Sequence, residues 1–295
     1  MFQVSVIIPV YNAVNFIEKA VESVVHQHGV GEILLVDDAY PDGALDLCKK
    51  LESKYSIVKL LQHPNGENRG AGASRNLGIE KAQFDYIAFL DADDSYLPNR
   101  FNITEQRFNK FPNVDGVYEP VGTRYENEKA RIGFCNWKKI TSEMSDSYLT
   151  YPSIESQGHL FFEDLISGLS SYPHLNGITI KKSLFNKTGY FDTSLKLHQD
   201  TELIIRLVYS GYFIPGDRKH VVAVRFVHSE NRIAHLNYTS RYQLTQKLLN
   251  WGISNNIPNK YIRIIKKKNI IAKTRHIFNS NNILVRFICS ILYRL

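Results

Sequence analysis

Apolar and polar positions in the first hundred residues alternate between two periods. Val4-Ser5-Val6-Ile7-Ile8 is a β-branched run closed by Pro9, with Tyr11 and Asn12 as turn residues; Ile17, Ala20, Val21, Val24 and Val25 then recur at helical spacing. The unit repeats: Ile33 to Val36 is a second apolar run, ending in Asp37 and Asp38, and a turn through Pro41-Asp42-Gly43 leads to a helix reaching Tyr55. Ile57 to Leu61 predicts a third strand, Asn65 to Gly72 a loop, Ser74 to Ala82 a helix, and Tyr86 to Leu90 a fourth, uncharged strand. Strands alternating with helices in this way predict a parallel, right-handed, doubly wound sheet.

Beyond Pro98 the period weakens. Asn99 to Phe111 reads as a helix, Gly116 to Tyr118 as a strand, and the stretch to His174 as polar and aromatic without regular spacing. Tyr118, Tyr125, Trp137, Tyr148, Tyr151 and Tyr172 are either sugar-stacking faces or core, and the pattern does not separate the two. Asn176 to Ile180 predicts a strand. Leu203, Ile204, Leu207 and Val208 predict a helix stopping at Gly211, with Asp200 in its first turn.

The fourth strand ends abruptly at Asp91, Asp93 and Asp94. Ligands collect at the carboxyl ends of parallel strands, and crowded carboxylates repel unless a cation joins them; oxygen ligands of this kind suit Mg²⁺ or Mn²⁺. The bland alternative is a solvated acidic turn capping the next helix. Strands one, two and four all finish in polar or acidic residues, so their loops are expected to build one cleft. No Gly-x-Gly-x-x-Gly follows the first strand and no Walker-type loop is present, which argues against dinucleotide-dependent dehydrogenases and P-loop enzymes.

Charge adds a second partition. Twelve of the 36 Lys and Arg lie from residue 231 onward with no Asp or Glu, so the first 230 residues carry 24 basic against 29 acidic groups. Ile262, Ile265, Ile270 and Ile271 are interleaved with these charges, and in the last thirteen residues Arg286, Ser290 and Arg294 form one narrow polar stripe. The stretch suits a helix lying on an anionic membrane surface, or one packed on its own catalytic domain or on a dimer partner. A basic balance without a recognised module gives no case for nucleic acid. No uncharged run is long enough to span a bilayer, and Met1-Phe2-Gln3 leads directly into a strand pattern without a signal-peptide core. Three scattered cysteines, Cys48, Cys135 and Cys289, give neither a disulfide framework nor zinc-ligand spacing, so the expected setting is cytoplasmic, peripheral on the cytoplasmic face of the membrane.

The runs VSVIIPVYN (4 to 12), LLVDD (34 to 38), GASRNLGIEKA (72 to 82) and YIAFLDADD (86 to 94), in this order and spacing, resemble the inverting family-2 glycosyltransferases of GT-A fold. The resemblance implies a mostly parallel, Rossmann-like sheet with a C-terminal helical extension. It divides the chain into a GT-A catalytic domain over 1–230, with a nucleotide-sugar half (1–100) and an acceptor half (101–230), and a basic extension over 231–295. Asp38 is implied to accept a hydrogen bond from the base and Tyr11 to lie against it. Arg75 is implied to reach ribose or diphosphate, Asp93 to hold the metal and Asp91 to support ribose or metal waters, with Pro9 and Ala92 in the same nucleotide-sugar site. Each also has a plain reading: Tyr11 at the core edge, Asp38 as a helix cap, Arg75 paired with Glu80 or Asp85.

The family's Asp-Asp-Gly-Ser turn is replaced here by Ala39-Tyr40-Pro41-Asp42, and Gln199 stands where Glu is common. Gly189-Tyr190-Phe191-Asp192 followed by Asp200 matches the family's catalytic segment and implies that Asp200 is the general base. Such a group takes the proton that an acceptor hydroxyl loses as it attacks the anomeric carbon. His228 is a further candidate metal or phosphate ligand, or a surface histidine. The expectation is therefore a metal-dependent inverting transferase. It uses a nucleotide-sugar donor, a UDP-sugar by preference, and a saccharide or lipid-linked saccharide acceptor in cell-surface polysaccharide biosynthesis. The alternatives are a non-catalytic nucleotide-sugar-binding membrane adaptor and, lacking its glycine-rich loop, a sugar nucleotidyltransferase.

Overall fold

A computed structural model describes residues 1–152, 156–228 and 238–279, together with Val285, Ile288, Ser290 and Ile291. The opening units form as the apolar periods predict: β1 (Val4–Val10), α1 (Ile17–Val25), β2 (Val30–Asp37), α2 (Ala44–Lys54) and β3 (Val58–Gln62). The next helix, α3 (Ala71–Lys81), begins three residues earlier than its apolar pattern suggests, directly after Gly70 at φ 84°, and leads into β4 (Tyr86–Phe89). Gly78 lets α3 sit against β1, since a Cβ there would meet Ile7 Cγ2 at 2.4 Å.

The middle of the chain resolves into short pieces: β5 (Ser95–Tyr96), α4 (Asn102–Lys110), β6 (Gly116–Tyr118), β7 (Val121–Tyr125), α5 (Glu128–Lys138), α6 (Ser142–Ser145) and α7 (Gly158–Ser167). They are followed by β8 (Ile178–Lys181), α8 (Phe185–Thr188), α9 (Gln199–Ser210), β9 (Phe213–Pro215) and β10 (Ala223–Val227). One sheet has the order β3-β2-β1-β4-β8-β6-β9 and a second the order β5-β10-β7. In the large sheet only β8 opposes the other six strands, since β4 and β6 both pair with it antiparallel and β9 runs parallel to β6. The second sheet had no signature in the sequence, because strands of two to five residues are too short to show a period.

Alternate residues of the central strands feed two cores. Ile7, Leu34 and Phe89 face α3, α7 and α9, whereas Val6, Ile8, Ile33 and Leu35 face α1 and α2. Both sheet faces are covered, which accounts for the unbroken apolar runs. Register then sets the site. Val10 pairs with Asp37 and Ile7 with Phe89, so the residues after β1, β2 and β4 emerge along one edge.

The basic C-terminal region continues this body. Helices α10 (Tyr238–Ser254) and α11 (Asn259–Ile277) form a hairpin whose Leu248, Ile257, Tyr261 and Ile265 join the core on the α7 and α9 side. Phe162 meets the Tyr261 ring edge-on at 5.0 Å and Tyr209 meets Trp251 at 5.4 Å; Lys247 pairs with Asp192 and Lys260 with Glu163. On α11, Tyr261 and Ile265 have core partners, while Ile270 and Ile277 stay exposed. The change at residue 230 and most of the Arg286, Ser290 and Arg294 stripe lie outside the described residues.

Candidate active site

The residues implied for the nucleotide-sugar site, the base and the metal line one cavity of about 390 Å³ at the strand ends: Pro9, Tyr11 and Asp38, then Arg75, Asp91, Ala92 and Asp93, and finally Asp200 and His228; the candidate sugar-stacking aromatics Tyr118, Tyr125, Trp137, Tyr148, Tyr151 and Tyr172 do not. The cleft expected from three polar strand ends is therefore one feature.

On the β2 side, the Asp38 side chain is almost fully buried. Its Oδ1 accepts from the backbone N–H groups of Arg69 (2.7 Å) and Gly70 (3.0 Å), and its Oδ2 is buried without a partner. The helix-cap reading of Asp38 fails, since Asp42 Oδ1 accepts from Ala44 N at the start of α2. Ala39 sits at φ 53°, a left-handed conformation that glycine would adopt more readily, and Tyr40 brings its ring to 4.6 Å from that of Tyr11. Both tyrosines remain 37% exposed, a paired aromatic edge rather than core.

At the end of β4, Arg75 Nη2 donates to Asp91 Oδ1 at 2.5 Å; the surface pairing of Arg75 with Glu80 or Asp85 is not the one formed. Burial by itself raises the Asp91 carboxyl, but Arg75, with His174 and Arg225 behind it, outweighs burial and holds it below its ordinary value. Asp93 Oδ2 contacts His228 Nε2 at 3.0 Å. The surface reading of His228 is corrected here. Its side chain is 8% exposed, with its ring 5.0 Å from Phe16 and 5.5 Å from Phe226, because β10 folds back over the β4 turn.

Asp94 lines the same cavity but is tied into the protein. Its two oxygens accept from Asn176 Nδ2 (2.6 Å) and Phe226 N (2.7 Å), tying the acidic turn to both sheets. Burial first, and then the charges of Asp93 and Asp91, push its carboxyl well above the ordinary range. Ligand atoms of Asp91, Asp94 and His174 lie within 4.8 Å of one another. Within that trio Asp94 is committed to two donors and Asp91 to Arg75, while Asp93 keeps its own contact with His228.

Asp200 is exposed in the first turn of α9, where Oδ1 accepts from Thr201 N at 2.8 Å. Two contacts fix this turn against α3. Asn76 of α3 exchanges hydrogen bonds with both backbone groups of Phe191, and Gln199 donates to the Leu195 carbonyl while packing where a Cβ on Gly72 would stand. Gln199 thus braces the loop before Asp200.

Sequence reasoning missed Asn176, His174 and Arg225. Asn176 accepts from Asp91 N (3.2 Å) and donates to Asp94, so it sets the acidic turn. His174 lines the cavity, and burial pushes its imidazole down to about 4, leaving it neutral near pH 7. No local pattern marks any of the three.

A mostly parallel sheet whose strand ends gather a paired aromatic edge, a partnerless carboxylate oxygen, an Arg–Asp pair and a second acid with histidine defines a GT-A type α/β protein. Residues 5–161 match the family model described as glycosyl transferase family 2. An uncharacterized glycosyltransferase of Haemophilus influenzae is 40% identical over 239 residues, covering 72% of this chain and 93% of the relative. The chain belongs to glycosyl transferase family 2. A second uncharacterized glycosyltransferase of that organism is 28% identical over 217 residues; the alignment takes in 72% of this chain and 64% of the relative's length. The crystal structure of S. aureus TarS 1-349 in complex with UDP-GlcNAc shares the fold, with a TM-score of 0.66 and 15% identity over 93% of this chain and 72% of that one.

Proposed function

We propose that this chain is an inverting glycosyltransferase that takes a sugar from a uridine diphosphate donor and delivers it to a saccharide or lipid-linked saccharide in cell-surface polysaccharide assembly. The observation that carries this reading is the partnerless, buried Oδ2 of Asp38 in the cavity that also holds Arg75, Asp91 and Asp200. A carboxylate oxygen in that state accepts an imide N–H such as that of uracil, and the Tyr11–Tyr40 edge offers a stacking face beside it. Arg75, oriented by Asp91, offers its remaining N–H groups to diphosphate oxygens.

Asp200 faces the same space from α9 and takes the proton from the acceptor hydroxyl as the new bond forms. A single displacement with one base opposite the leaving group inverts the anomeric carbon. Asp93 and His228, with Asp91, would hold Mn²⁺ or Mg²⁺, which when bound supplies positive charge against the departing diphosphate. The TarS complex with UDP-GlcNAc makes that sugar nucleotide the first donor to try.

A membrane-surface partner is supported by α11. Arg263, Lys266, Ile270, Lys273 and Ile277 are all exposed and spaced three and four apart, so cationic and apolar groups share one outward stripe. No helix among the described residues is long and apolar enough to cross a membrane.

The test is UDP release from a panel of UDP-sugars with saccharide acceptors, in Mn²⁺, alongside calorimetric UDP binding. The expected result is turnover that falls at least ~100-fold in Asp200→Asn while UDP affinity stays within about twofold. Asp93→Ala should remove the metal dependence of UDP binding. Normal turnover in Asp200→Asn overturns the base assignment, and UDP binding without turnover on any acceptor favours the adaptor.

A further inference from the structure

Away from the base-binding wall, α5 carries Trp137 and Lys138 to where β10 presents Arg225. The Lys138 ammonium lies 4.2 Å from the centre of the Trp137 ring and 5.3 Å from that of Tyr148; the Arg225 guanidinium lies 5.4 Å from the same Trp137 ring. Two cations therefore share one indole. Among the described residues neither forms a contact-distance ion pair, although the Arg225 charge reaches Asp91 and Asp94 across the cavity; the neighbouring arginines do pair, Arg75 with Asp91 and Arg131 with Glu128. Cation–π contact orients a charge without neutralising it.

Both cations are half-buried. Burial, and then the charge of Arg225, push the Lys138 ammonium down to about 8, the response of a half-buried cation held near another. Arg225 opens onto the cavity that also holds His174 and Asp200.

We propose that Trp137, Lys138 and Arg225 form a subsite for an anionic group, a phosphate or a carboxylate, carried by the acceptor whose hydroxyl is presented to Asp200. The guanidinium fork matches two oxygens of either group, and the Lys138 ammonium over the same indole supplies a third donor. The inference rests on the transferase reading for the word acceptor; the anion site itself stands on two cations sharing one indole beside the cavity. It narrows the acceptor to a hydroxyl compound bearing a phosphate or a carboxylate.

Glucose 6-phosphate, glucuronate and glucose are titrated into the full chain saturated with UDP and followed by calorimetry. Anionic probes should bind about tenfold more tightly than glucose, as expected for charge-assisted hydrogen bonds. The preference should vanish in Lys138→Gln and in Arg225→Gln and persist in Lys138→Arg, with UDP affinity alike in wild type and Lys138→Gln. Whichever anionic probe binds better identifies phosphate or carboxylate as the group read. Equal binding of all three probes, or a preference that survives both glutamine variants, overturns the proposal. So does a loss of UDP affinity in Lys138→Gln as large as the loss of anion affinity, since the cations would then serve the donor diphosphate. Should UDP itself not bind, the nucleotide reading fails alone. The same probes on the UDP-free chain then decide: loss in Lys138→Gln but not Arg75→Gln supports the subsite, and the reverse overturns it.

Discussion

Asp38→Asn tests the nucleotide site with a single-atom change. The amide oxygen can keep the two backbone N–H donors of Arg69 and Gly70, while an NH₂ replaces the partnerless Oδ2. A donor then faces the uracil imide N–H where an acceptor stood. The lost bond is charge-assisted and buried, worth about 1.5–3 kcal/mol, so UDP affinity should fall about 10- to 150-fold. Fold stability should change by less than about 1 kcal/mol, because the contacts to Arg69 and Gly70 survive. A cycle with 3-methyl-UDP isolates the bond: methylation removes the N–H and should weaken binding to wild type by a similar factor, but add little in the variant. Calorimetry gives the affinities and urea melts give the stabilities. Equal UDP affinity in Asp38→Asn and wild type, or full additivity of the two changes, would refute the assignment of Asp38 to the base.

Three further outcomes follow from the surrounding structure. Arg100 is fully buried and pairs with Glu119 at 2.8 Å while donating to the Asn176 carbonyl at 3.2 Å. Arg100→Met should cost ~3–5 kcal/mol in urea melts, and Arg100→Met with Glu119→Leu should recover most of it, because the stranded charge is gone. Lys268 lies half-buried against Gly168, and burial pushes its ammonium from 10.5 down to about 8. The unfolded chain thus binds the extra proton between those values, so stability should rise with pH from about 8 to about 10.5 in wild type. Lys268→Met should be more stable at pH 7, on the order of 1 kcal/mol, with the gap closing as pH rises through that window; a pH-independent gap in Tm would show that the charge is not the cause. On α11, charge reversal at Arg263, Lys266 and Lys273 should abolish sedimentation with anionic vesicles and leave UDP affinity unaltered. Sedimentation that survives the three reversals would place the membrane contact elsewhere. Deleting α11 is the poorer test, since Tyr261 and Ile265 belong to the core.

What the sequence determined by itself is the first half of the sheet and the polar strand ends that line the cavity. Apolar periods are local, so Val4–Val10, Val30–Asp37 and Tyr86–Phe89 were legible as strands, and their polar ends predicted a common cleft before any contact was known. The tertiary structure decided which acid does what. Asp91, Asp93 and Asp94 read alike in sequence, yet Arg75, His228 and the Asn176–Phe226 pair separate them into an ion pair, a cavity-facing carboxylate and a buried strut. Their partners come from 16 to 135 positions away, beyond the reach of any local period. The same holds for the second sheet and for Arg225 over Trp137, which lie in segments too short or too irregular to carry a pattern. For α11 the sequence offered a membrane face and a packing face. The fold assigns Tyr261 and Ile265 to packing and leaves Ile270 and Ile277 outside, because burial depends on what stands opposite a helix, and no helix encodes that alone.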